Sequence, residues 1–297
     1  MYYIGIDGGG TKTLFSLYDE DGILIRCHTE GTSHYAQVGY DGLTEVISNG
    51  VREVLGDISD NVIVGLGLAG YGREVTVRKN IEESIKRAIP NYPYVLKNDA
   101  QIALKGALGG KDGILVIAGT GSIAMSHFDG IDDRSGGWGY AIGDEGSAYW
   151  IAKRVILEFS KQSDGRSEKT KLYELLKEET AIQEDADLIT YVIKTLGNKR
   201  EEIAKLALVC AKGAMANDKV CLKIYQDAAY EIAQMINVLA RKVNKEEVLV
   251  SYTGGVWKGK KYMDETFAKY LDANVTIIEP MFGPDYGAYL YAKELNK

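Results

Sequence analysis

Residues 2–13 read YYIGIDGGGTKT, and residues 113–127 read GILVIAGTGSIAMSH. Each is an apolar run that stops at a turn of glycines and hydroxyl-bearing residues and then resumes as a second run. The first stops at Asp7 before Gly8-Gly9-Gly10-Thr11-Lys12, the second at Gly119-Thr120-Gly121-Ser122. Between them YPYVLKNDAQ (residues 92–101) is a short apolar strand ending in Asn98-Asp99. Phosphoryl transfer needs such parts: backbone N–H groups for phosphate oxygens and a carboxylate to take a proton from an attacking hydroxyl. The first turn is not a Walker A loop, because GxxxxGK[ST] spacing is missing. Nor is it a dinucleotide fingerprint, because a strand (TLFSLYD) follows where a helix should open.

Read this way, Gly8, Gly9 and Gly10 let backbone approach phosphate, Thr11 offers a hydroxyl, Lys12 a positive charge, and Asp7 holds Mg2+ through water. Asp99 is the base for a substrate hydroxyl, oriented by Asn98. A carboxyl pKa near its usual value of about 3.9 is low for a base, yet positioning and late proton capture matter more in this reaction. Taken alone, Asn98 or Asp99 could equally be a helix cap. In SGGWGYAIGDEGS (residues 135–147) a Trp face among glycines, followed by Asp144, suits a sugar, with its apolar ring faces and polar edges.

The wider pattern is a strand meander followed by alternating helices and strands. Strands are expected at 2–7, 13–18 and 22–28, a helix at 37–55, a strand at 62–68, a helix at 77–88, a strand at 94–97 and a helix at 99–108. After Gly109-Gly110 the pattern restarts. Strands at 113–118 and 121–127 lead into the glycine-rich segment and a helix over 144–160 capped by Asp144. A charged, weakly periodic stretch (165–198) reads as a small helical insertion. Helices at 201–216 and 218–243, a strand at 247–252 ending in Gly254-Gly255, a helix at 261–270, a strand at 274–278 and a final helix at 285–295 complete the chain. Two halves that open alike imply an internal duplication. The expected domains are 1–110 and 111–284, with 285–297 packing back on the first.

The chain's 297 residues, 45% of them hydrophobic, suit two domains. A net charge of -7 and a pI near 5.2 argue against a nucleic-acid partner. No apolar run reaches the length of a membrane span. Cys27, Cys210 and Cys221 form no CxxC pair, as in a reduced, cytoplasmic protein without a disulfide frame.

The segments GIDGGGTKT, KNDA, AGTGS, GGWGYAIGDEGSAYWIAKRVI and, more loosely, SYTGGVW resemble the N-acetylglucosamine kinase branch of the actin/hexokinase/Hsp70 superfamily, grouped with the BadF/BadG-type ATPases. The resemblance implies an α/β fold of two ribonuclease-H-like domains with ATP and sugar in the cleft between them. It implies Asp99 as catalytic base, and Gly10, Thr11 and Thr120 at the ATP phosphates. Ser122, Gly137, Trp138, Gly139, Tyr140 and Asp144 would line the sugar pocket; Gly213 and Gly254-Gly255 would lie near the nucleoside. Many relatives have a sugar-contacting Asn after a G-x-S pattern, whereas this chain reads Gly31-Thr32-Ser33-His34. The expected activity is ATP- and Mg2+-dependent phosphorylation of N-acetylglucosamine, or of N-acetylmuramic acid or glucosamine, at the 6-hydroxyl. The alternatives are a general hexokinase or glucokinase, the ATPase activator of a radical dehydratase, and a non-catalytic sugar sensor. Sugar and ATP are the expected partners, and self-association into a homodimer stays open.

Overall fold

The computed structural model describes residues 1–58, 61–72 and 74–296. The chain divides into two compact units, Met1–Gly113 with Glu279–Lys297, and Ile114–Ile278. The C-terminal helix (Pro284–Leu295) belongs to the first unit, and the border falls at 278/279 rather than 284/285.

The first unit is built on strands β1 (Tyr2–Gly8), β2 (Lys12–Tyr18), β3 (Leu24–Gly31), β4 (Val62–Leu68) and β5 (Tyr94–Asn98), with helices α1 (Tyr35–Leu55), α2 (Val75–Ala88) and α3 (Asp99–Ala107). The sheet order is β3-β2-β1-β4-β5, antiparallel through the hairpins and parallel at β1–β4 and β4–β5. β1 and β4 are central and covered on both faces, so they read as unbroken apolar runs rather than alternating ones. On one face Ile4, Ile6, Leu43, Ile47, Ile81 and Ile85 form a core with α1 and α2. On the other the C-terminal helix lies against Gly5 and Gly65, which are paired across β1 and β4. A Cβ on Gly5 would meet the Asp285 carbonyl and one on Gly65 the Ala288 carbonyl, so glycine at both positions lets the helix seat this closely.

The second unit repeats the plan with β6 (Gly113–Ala118), β7 (Ser122–Phe128), β8 (Ile131–Gly136), β9 (Val248–Thr253) and β10 (Val275–Ile277), in the order β10-β9-β6-β7-β8. Counted within each unit the order is the same, third-second-first-fourth-fifth, which is the expected duplication written in topology. Between β8 and β9 come α4 (Ala148–Ser163), α5 (Lys171–Thr180), α6 (Asp187–Thr190) with a π turn at Tyr191–Thr195, α7 (Arg200–Ala204), α8 (Ala207–Met215) and α9 (Lys219–Val243). A 3-10 turn (Gly255–Tyr262) and α10 (Asp264–Tyr270) join β9 to β10.

Four expectations change. The helix expected at 144–160 starts at Ala148, and its cap is Ser147, whose Oγ accepts the Trp150 N–H at 3.1 Å. Asp144 instead has left-handed backbone (φ 58°) and is buried in the preceding loop. The helix expected at 201–216 is two, α7 and α8. The stretch expected as helix at 261–270 is a 3-10 turn and a short helix. β8 had no strand signal, because its IDDRSG carries one apolar residue and pairs along the sheet edge.

Candidate active site

Asp7 stands one residue from the end of β1, and Gly9 closes the following turn by donating its N–H to the Lys12 carbonyl at 3.0 Å. Two side chains that the sequence did not single out hold this turn. Thr32 Oγ1 donates to the Gly9 carbonyl (3.0 Å) and Gln37 Nε2 to the Gly10 carbonyl (2.9 Å). Gly10, Thr11 and Lys12 are exposed and available to a ligand. Gly8 is not: it is buried, and a Cβ there would lie 2.6 Å from Ser33 Oγ. Ser33 is itself buried, with a hydroxyl that meets no partner among the described residues.

Burial, reinforced by the carboxylates of Asp285 and Asp99, pushes the Asp7 carboxyl up to about 6, with Lys12 pulling the other way. Asp285, in the first turn of the C-terminal helix, accepts the Tyr18 hydroxyl at 2.6 Å. The sequence signal there, Gly283-Pro284-Asp285, points to a helix start and not to a site. Among the described residues no three His, Cys, Asp or Glu side chains converge into a metal cage. Asp7 and Asp285, close enough to raise one another's charge cost, are carboxylates that fit Mg2+, which keeps most of its water and takes one or two carboxylates together with substrate phosphates.

Asn98 and Asp99 straddle the junction of β5 and α3. Asn98 is the cap: its Oδ1 accepts the Ala100 N–H at 2.9 Å, its Nδ2 donates to the Tyr71 carbonyl at 3.2 Å, and Gln101 completes a capping box. Asp99 is therefore the first helical residue and not the cap, and its Oδ1 also accepts from Ala100 N–H, at 3.0 Å. Burial raises the Asp99 carboxyl above the usual carboxylate range, partly countered by the same backbone bond and by nearby His34. His34 caps α1; its Nδ1 accepts the Ala36 N–H at 3.2 Å, so in the neutral ring Nε2 carries the proton. Its ring stacks on Tyr35, with centroids 5.2 Å apart.

In the second unit the turn Gly119–Gly121 is closed on itself, Gly119 N–H donating to the Gly121 carbonyl at 2.9 Å. The start of α4 docks on it, Ala148 N–H donating to the Gly119 carbonyl (2.8 Å) and Tyr149 N–H to that of Thr120 (3.3 Å). Thr120 is exposed, while Ser122 is buried and gives its proton to the Glu145 carbonyl at 2.6 Å. Asp144 Oδ1 accepts the Gly139 N–H at 3.1 Å, fixing the loop that follows β8. That loop presents Trp138 (64% exposed), Tyr140 (49%) and Ile142 (78%) to solvent, with Gly137 and Gly139 between and beside them. Arg200, which the sequence reading left unassigned between the insertion and the next helix, lies 3.7 Å from Asp144.

A cavity of about 380 Å3, lined mainly by apolar groups including Ile151, Leu208, Met215, Tyr225 and Tyr262, lies between α4, α8 and the 3-10 turn. Gly255 lines it; Gly254, with φ 108°, packs against the Ala118 carbonyl. Gly213 does not line it, because its open side is filled by the sulfur of Cys221. Cys221 and Cys210 are buried side by side, Cys210 Sγ donating to the Cys221 carbonyl at 3.4 Å, and Cys27 is alone on β3.

The fold is α/β, of the actin/hexokinase type found in sugar kinases. The chain belongs to the BadF/BadG/BcrA/BcrD ATPase family, whose model matches residues 4–292. It is 31% identical to the N-acetyl-D-glucosamine kinase of Dictyostelium discoideum, over 99% of this chain and 98% of that protein. It is 32% identical to the N-acetylmuramic acid/N-acetylglucosamine kinase of Clostridium acetobutylicum, over 98% of each. The crystal structure of a candidate N-acetylglucosamine kinase from Chromobacterium violaceum superimposes with a TM-score of 0.73 at 26% identity, over 97% of this chain and 98% of that one.

Proposed function

We propose that the protein is an ATP- and Mg2+-dependent kinase that phosphorylates N-acetylglucosamine or a close amino sugar at the 6-hydroxyl. The observation that carries it is Asp99. The carboxylate stands at a strand end, is oriented by the Ala100 N–H, and is half-buried enough to be a better base than a free aspartate. Asp99 takes the proton as the sugar oxygen forms its bond to the γ-phosphorus and the bond to the ADP oxygen breaks. Gly9, Gly10, Thr11, Lys12 and the Gly119–Gly121 turn are assigned to the phosphates, and the apolar cavity beside Gly255 to the adenosine. Asp7 would hold Mg2+, which when bound offsets phosphate charge. Ser33, His34, Asn98, Trp138, Gly139, Tyr140 and Asp144 are assigned to the sugar, and Ser122 and Gly137 to the frame of that loop. The two buried thiols and the isolated Cys27 do not suit the iron–sulfur ligation of a dehydratase activator, and a reducing, ATP-rich cytoplasm suits all three.

A coupled assay for ADP release over a panel of sugars tests the proposal. Phosphorylation of at least one N-acetylated amino sugar is expected, and no turnover with any of them overturns it.

A further inference from the structure

We propose that Arg200 is a catalytic residue of this kinase, its guanidinium binding a phosphate oxygen of the nucleotide at the Gly119–Gly121 turn. The inference rests on the reading of that turn as the phosphate cradle. Gly119 N–H is spent on the Gly121 carbonyl and the Ala148 and Tyr149 N–H groups on the turn's own carbonyls, which leaves the turn the N–H groups of Thr120 and Gly121, dipoles without net charge. A cation beside it would supply what the backbone does not.

Arg200 opens α7 and reaches back to that point. One terminal nitrogen lies 2.5 Å from where a Gly121 Cβ would stand, and Asp144 Oδ2 lies 2.6 Å from the same point. Any larger side chain at 121 would evict one of them. The two charges are 3.7 Å apart, close enough to attract and too far for a hydrogen bond. Arg200 Nε is buried and has no hydrogen-bond partner among the described residues. The guanidinium carbon stands 5.7 Å from the centre of the Tyr140 ring, within cation–π reach. The group stands beside the turn with donors unspent, and phosphate is an anion whose oxygens match a planar fork. Asp144, buried against the same turn, would by itself repel an anion; Arg200 cancels that charge.

The test compares wild type, Arg200→Ala and Arg200→Lys in two measurements: calorimetric binding of ADP and of adenosine, and steady-state kinetics. For Arg200→Ala, ADP binding should weaken at least tenfold, adenosine binding should stay within twofold, and kcat should fall by on the order of 10²-fold. Lys, which keeps the charge and loses the fork, should restore part of the ADP affinity. Unchanged ADP binding overturns the proposal. So does equal weakening of ADP and adenosine, which would make Arg200 only the anchor of the Asp144 loop. If Arg200→Ala does not fold, Arg200→Lys decides: weakened ADP with unaltered adenosine supports the proposal, unaltered ADP overturns it. A wild type that binds ADP but phosphorylates no amino sugar would fail the substrate assignment and leave the binding comparison intact.

Discussion

Asp7 carries a tension between function and stability. Its carboxyl ionises near 6 in the folded protein and near 3.8 otherwise, because burial and two neighbouring acids oppose its charge. Between those values the folded state binds more protons than the unfolded one, so this group's contribution to stability is fully present below about 4 and is lost as pH rises through 6. Without Mg2+, Asp7→Asn should therefore stabilise the protein at pH 7.5 by up to about 3 kcal/mol and do little at pH 4. The same variant should lose Mg2+-dependent turnover. Denaturant midpoints at the two pH values read the first effect, and an equal shift at both would place its cause outside the carboxyl. Asp99→Asn separates chemistry from architecture. Asn98 is the helix cap, so the change at 99 leaves the cap intact. We expect kcat to fall by on the order of 10² or more with ATP binding kept; turnover near the wild-type rate would reduce Asp99 to a helix-start residue.

At the scale of elements, the C-terminal helix is the part whose seat is most demanding. Gly65→Ala would drive a Cβ into the Ala288 carbonyl and displace the helix that carries Asp285. A loss of about 1–3 kcal/mol is expected. Gly31→Ala, where nothing lies within 4 Å of the added carbon, should stay within about 0.5 kcal/mol. Thermal unfolding of the pair checks this; equal midpoints would mean the helix has room to spare. Elements with strong periodicity, such as α9 and the apolar strands β1, β4 and β6, were readable because burial imposes a local pattern. The start of α4 was not, because Asp144 and Ser147 are both good caps in sequence. The bond that Gly139 N–H donates to Asp144 within the loop, and that of Ala148 N–H to the distant Gly119 carbonyl, decide between them. Arg200, Thr32 and Gln37 escaped notice for the same reason: each reaches the glycine turns from elsewhere in the chain.

Over the whole molecule, two sheets of one strand order have been given different duties by what is grafted on them. The first unit brings Asp7, Asp99 and His34 to one electrostatic neighbourhood; the second carries the apolar cavity and the exposed aromatic loop. Substrate choice tests the proposed residue assignments. N-acetylglucosamine should be preferred over glucose in kcat/KM by roughly tenfold or more, about 1.4 kcal/mol. A 2-acetamido group offers a methyl to apolar contact, which Trp138 and Tyr140 can supply, and an amide whose partners a glucose hydroxyl would leave unpaired. His34 is the second residue that the proposed function assigns to the sugar. Its Nδ1 is committed to the Ala36 N–H, so the neutral ring can only donate, through Nε2, where asparagine could donate and accept. A donor-only group favours substrates with an acceptor at that position, and the lactyl carboxylate of N-acetylmuramic acid is the strongest acceptor among the candidates. His34→Asn should therefore lower use of N-acetylmuramic acid relative to N-acetylglucosamine, by several-fold in kcat/KM. The panel of N-acetylglucosamine, N-acetylmuramic acid, glucosamine, N-acetylmannosamine and glucose, run with both proteins, measures this directly. Equal or better use of glucose by the wild type would sink the amino-sugar assignment, and an unaltered ratio of N-acetylmuramic acid to N-acetylglucosamine use in His34→Asn would make His34 a helix cap and nothing more.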